Sequence, residues 1–110
     1  MTSTLYHLRK TRENILNACE ELSWDQIIQV PVGFNNNILW NVGHILATQQ
    51  VLCYSLSYLD TKLPASFVSK YRKGTKAPQE AEESEFNDIK DWLIHTIDWL
   101  SNDLNKEIFQ

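Results

Sequence analysis

Positive charge is in short supply in this chain: ten Lys and Arg stand against fourteen Asp and Glu, for a formal net charge of −4. Phosphate backbones are bound through a basic patch, so no nucleic-acid partner is expected. Cysteine is nearly absent. Cys19 and Cys53 stand alone, without the Cys-x-x-Cys spacing of a zinc ribbon or a dithiol redox motif. Each falls on an apolar helical face, where it reads as a small buried thiol. No apolar run is long enough to cross a membrane, because Ile38 to Leu59 is interrupted by Asn41, His44, Gln49 and Gln50. The start, Met-Thr-Ser-Thr-Leu-Tyr-His, has no secretory pattern. A cytoplasmic protein with no membrane partner is expected. Internal repeats and Ser-His-Asp or Cys-His groupings with recognisable local context are also missing.

What remains is helical. The 110 residues suffice for one domain and one core, and four Trp supply bulk for it. Leu5, Leu8, Arg12, Ile15, Cys19 and Leu22 recur at steps of three and four, which predicts a first helix from about Ser3 to Glu21. Ser23-Trp24-Asp25-Gln26 has the spacing of a capping box and predicts a short helical turn. From Asp60 to Ala81 the pattern breaks at Pro64, Gly74 and Pro78, with one helical turn predicted over Ser66 to Tyr71. Crossovers of this length are uncommon unless they have a task. Phe86, Ile89, Leu93, Ile97, Leu100, Leu104 and Ile108 then share one face of a third long helix, Glu82 to Phe109.

The segment from Pro31 to Gln50 carries the most information. Pro31 and Gly33 mark a turn, and the Asn run offers side-chain oxygens to the free N–H groups of a helix starting near Asn36 and running to about Leu59. On a helical wheel Ile38, Val42, Ile45, Gln49, Leu52 and Leu56 form one face; Trp40, His44, Ala47, Val51 and Tyr58 form nearly the opposite one. Two apolar faces predict a central helix, with Gly43 admitting a close neighbour. An imidazole there is hydrogen-bonded, buried neutral, or metal-bound. His7 and His95 have no His partner at i+4 and read as solvated or packed side chains.

The Pro31-Val-Gly-Phe-Asn-Asn-Asn-Ile38 turn and the Trp40-Asn-Val-Gly-His44-Ile45 core resemble the DinB-like superfamily. The resemblance runs more weakly from Leu5 to the helix after Ser84. It implies an all-α, up-down helical bundle, and in many members a divalent metal, with His44 matching the first of three ligands. The other two usually lie one turn apart on the last helix. Here no later His-x-x-x-His pair occurs, and the third long helix reaches Gln110 without a Gly or Pro stop. A single domain over residues 1–110 is therefore expected, C-terminally truncated, with three long helices of four and an incomplete metal site.

The resemblance further implies a metal-dependent enzyme of the thiol-dependent transferase type, using zinc, nickel, iron or manganese and a small-molecule thiol. An ion with an open position acts as a Lewis acid and lowers the pKa of bound water or thiol. With His44 alone, tight metal binding within one copy of this chain is not expected. The alternative is a non-catalytic bundle that dimerises or binds a small ligand. Asn41 and Thr48 flank His44 at helical spacing and are candidates to orient it. The basic run Lys70 to Lys76 offers Arg72, Lys73 and Lys76 to a carboxylate or phosphate, against the simpler reading of a solvated loop. A homodimer is expected, because helix two carries apolar residues around most of its circumference.

Overall fold

Local signals start and stop the helices. The computed structural model describes residues 2–34, 36–54, 60–78 and 80–105, which form α1 (Thr2–Glu20), α2 (Trp24–Ile28), α3 (Ile38–Cys53), α4 (Ala65–Tyr71) and α5 (Glu83–Asn105). There is no strand among the described residues. Ser23 caps α2 reciprocally: Gln26 N–H donates to Ser23 Oγ at 3.2 Å, and Ser23 N–H donates to Gln26 Oε1 at 2.8 Å. Buried Asn37 caps α3 by accepting from Trp40 N–H at 2.8 Å, while its own amide donates to Ile28 O at 3.0 Å. One side chain thus ends α2 and begins α3. Between them, Phe34 N–H closes a turn onto Pro31 O, with Gly33 at φ +87° in the position that favours glycine. Glu83 and Glu85 stand in the first turn of α5, where the helix dipole favours acids.

Two boundaries differ from the sequence reading among the described residues. Helix α3 begins at Ile38 rather than near Asn36, because Asn37 is extended at φ −115° and ψ −179° and serves as the N-cap, while Asn36 turns its side chain to the Ala77 N–H. Its predicted stretch to Leu59 passes into residues 55–59, outside the described residues, as do residues 106–110 of the last predicted helix. The single turn predicted over Ser66 to Tyr71 is a seven-residue helix, since Phe67, Val68 and Tyr71 share one buried face.

Helix directions follow from the pairs that meet. Arg9 pairs with Asp98 and Arg12 with Leu93 and Thr96, so α1 and α5 run antiparallel. Gln49 meets Thr96 and Tyr54 meets Asp103, so α3 and α5 run parallel. The first two long helices are therefore up and down, and the crossover returns the chain so that α5 can start beside the beginning of α3. Helix α5 packs between α1 and α3, while α2 and α4 pack on α3. Leu39, Leu46, Tyr71, Ile89 and Leu93 are fully enclosed. Each large apolar side chain so enclosed contributes roughly 1.5–3 kcal/mol.

Candidate functional site

His44 lies on α3 one turn after Trp40 and one turn before Thr48. Its ring stacks on the indole of Trp40, with centroids 4.5 Å apart and planes 11° from parallel. His44 Nδ1 is 2.8 Å from the carbonyl oxygen of Tyr71. A carbonyl only accepts, so Nδ1 carries the proton and the neutral ring keeps its lone pair on Nε2. Thr48 Oγ1 is 3.5 Å from Nε2, a distance at which a hydrogen bond is weak. Asn41 turns away and donates to Asn37 O. The imidazole is thus half-buried, oriented by a backbone group, with one nitrogen available.

Gly43 makes that geometry possible. A Cβ there would lie 2.7 Å from Tyr71 Cδ1, so only glycine lets the Tyr71 ring rest against α3. Tyr71 is fully buried, and its hydroxyl donates to Glu85 Oε2 at 2.9 Å. Lys70 Nζ reaches both oxygens of the same carboxylate at 3.0 and 2.8 Å. Burial first, then the Glu85 hydrogen bond and charge, push the Tyr71 phenol well above its ordinary range. Helix α4 is held on α5 by its side chains, and it holds His44 by its last carbonyl.

The chain then turns over the imidazole. Thr75 N–H donates to Arg72 O at 3.1 Å, with Gly74 at φ +94°, the third position of a type II turn. Thr75 Oγ1 also donates to Arg72 O at 2.7 Å and accepts from Trp40 Nε1 at 2.9 Å. Trp40 therefore ties both the His44 ring and the Arg72–Thr75 turn. Between turn and helix lies an open groove of about 400 Å³. Its α3 wall is His44, Ala47, Thr48, Val51 and Leu52; Arg72 and Lys73 form its other side.

The other candidates fall elsewhere. His7 is exposed beside Tyr6, and His95 is exposed beside Trp99. Lys76 does not line the groove. Cys19 is buried and Cys53 half-buried, and burial pushes both thiols up. No three His, Cys, Asp or Glu residues are grouped to hold a metal ion among the described residues. Among the described residues the groove wall supplies one imidazole, one hydroxyl, two cations and aliphatic surface, a donor set that does not fit a three-ligand divalent centre.

Sequence reasoning missed a second polar cluster. Arg12 is enclosed among α1, α3 and α5, donating to Leu93 O at 2.9 Å, Thr96 Oγ1 at 2.8 Å and Gln49 Oε1 at 2.6 Å. The signal was present, since Arg12 and Gln49 both occupy positions within apolar stripes.

Fold and groove together define a helical bundle whose central helix offers one oriented imidazole to solvent-accessible space. The chain belongs to the DinB superfamily, whose family model matches residues 7–108. No curated protein and no solved structure matches it.

Proposed function

We propose that this DinB-superfamily bundle binds a small molecule in the groove beside His44, with Nε2 of that residue meeting the ligand. The bond from His44 Nδ1 to the Tyr71 carbonyl carries the reading. It fixes the tautomer, and stacking on Trp40 fixes the ring plane, so the acceptor nitrogen is oriented before any ligand arrives. The groove's volume falls within the range of small-molecule sites. This is the non-catalytic, small-ligand form of the family's scaffold.

The same bond favours a second reading, the divalent-metal-dependent enzyme with a thiol substrate. A backbone carbonyl on the far nitrogen is a common support for a metal-binding imidazole. That role takes donors beyond those on the groove wall. Titration of histidine-labelled protein separates the two readings. Small-molecule fragments should move the His44 ring resonances and spare those of His7 and His95, and His44→Ala should weaken their binding. A broad fragment set that leaves His44 unmoved would overturn the proposal. Stoichiometric zinc or nickel binding, lost in His44→Ala, would instead support the metal reading.

A further inference from the structure

We infer that the ligand of this groove is a small carboxylate with a short apolar body, an inference that rests on the groove reading above. Four observations carry it. Arg72 and Lys73 face the groove from a turn closed by two hydrogen bonds to Arg72 O and tethered to Trp40. The two cations are therefore displayed by fixed backbone rather than by a loose loop. Neither makes an ion pair among the described residues, whereas Lys62 and Lys70 on the same crossover are matched by Asp103 and Glu85. Among the described residues no acidic side chain lines the groove to neutralise them. Opposite the charge, Val51 and Leu52 offer aliphatic surface along α3, and Leu52 is 60 % exposed.

The chemistry of such a site is a division of labour. A carboxylate takes charge-assisted hydrogen bonds from Arg72 and Lys73, while its alkyl or aryl part covers Val51 and Leu52. Nε2 of His44 and the Thr48 hydroxyl stand at one side as acceptor and donor for a polar substituent. A bare inorganic anion would use only the first half, and a neutral amphiphile only the second.

The test compares hexanoate, hexanamide and inorganic phosphate by amide chemical-shift titration of the whole 110-residue chain, read at Ala47, Thr48, Val51 and Leu52. Hexanoate should bind saturably, and at least about tenfold more tightly than either comparison compound. The double variant Arg72→Ala, Lys73→Ala removes two exposed side chains and should keep its fold while losing that preference. Hexanamide binding as well as hexanoate would overturn the carboxylate inference and leave the groove reading standing. Phosphate binding as well as hexanoate would overturn the need for an apolar body. If none of the three moves the α3 resonances, the carboxylate inference falls and the fragment titration alone decides the groove reading.

Discussion

Arg12 shows how far one residue can depart from the rule that buried charges are paired. It is 2 % exposed, donates to three neutral acceptors on α3 and α5, and its Nε has no hydrogen-bond partner among the described residues. No carboxylate pairs with it among the described residues, and burial lowers its pKa to about 10. Removing the guanidinium would strand Gln49 Oε1, Leu93 O and the Thr96 hydroxyl away from water. Arg12→Ala should therefore cost ~3 kcal/mol or more, because unsatisfied buried groups lose their desolvation energy in full. Urea unfolding measures it. A loss below about 1 kcal/mol would mean that water or a rearranged Gln49 replaces the guanidinium.

At the scale of elements, the seat of α4 on α3 controls the His44 site. Gly43→Ala would raise helix propensity by about 1 kcal/mol in an isolated helix. Here the added Cβ meets the Tyr71 ring at 2.7 Å, and that ring is pinned through its hydroxyl to Glu85. Overpacking should win, with a net destabilisation of roughly 1–2 kcal/mol and a weakened bond from His44 to Tyr71 O. A stabilised Gly43→Ala variant in thermal unfolding would contradict this.

What was legible follows the same boundary between local and distant contacts. The α5 stripe from Phe86 to Leu100, the Ser23 capping box and the asparagine start of α3 are encoded within a turn or two, and periodicity or capping chemistry reveals them. The importance of Gly43 could be expected from its place in an apolar helix, but not the identity of the residue that fills the space. The bond between His44 and Tyr71 spans 27 positions, and that between Arg12 and Thr96 spans 84. No local pattern specifies such partners. Arg72 and Lys73 could be marked as anion-binding candidates from composition, yet only the crossover's path brings them beside His44.

For the whole molecule, the balance of titrating groups sets an alkaline limit. Burial and acidic partners raise the Tyr54 and Tyr71 phenols above their ordinary value of 10.0. The folded chain therefore keeps protons that the unfolded chain releases above pH 10, and stability falls as pH rises through that region. Arg12 acts in the opposite sense, because its folded pKa of about 10 lies below its ordinary 12.5. Two tyrosines against one arginine should leave a net loss between about pH 10 and 12. In urea titrations, Tyr71→Phe should show a shallower alkaline loss than the parent. An identical slope would remove Tyr71 from the account. The exposed apolar side chains Val32 and Phe34, away from the groove, are surface that a second copy could cover, and we propose that the chain forms a homodimer. Sedimentation velocity at micromolar concentration should show the dimer, and a compact monomer would refute it.

The bundle holds His44 with its proton on Nδ1 and an available lone pair on Nε2 at the groove. A long-range ¹H–¹⁵N spectrum of the histidine rings, recorded near pH 8.5, where an ordinary imidazole is ~99 % neutral, tests it most directly. One ring should show a protonated Nδ1 and an unprotonated Nε2, lost on His44→Ala and altered in Gly43→Ala. A His44 ring protonated on Nε2 instead would contradict it, because the lone pair would then face the Tyr71 carbonyl and the groove would hold a donor.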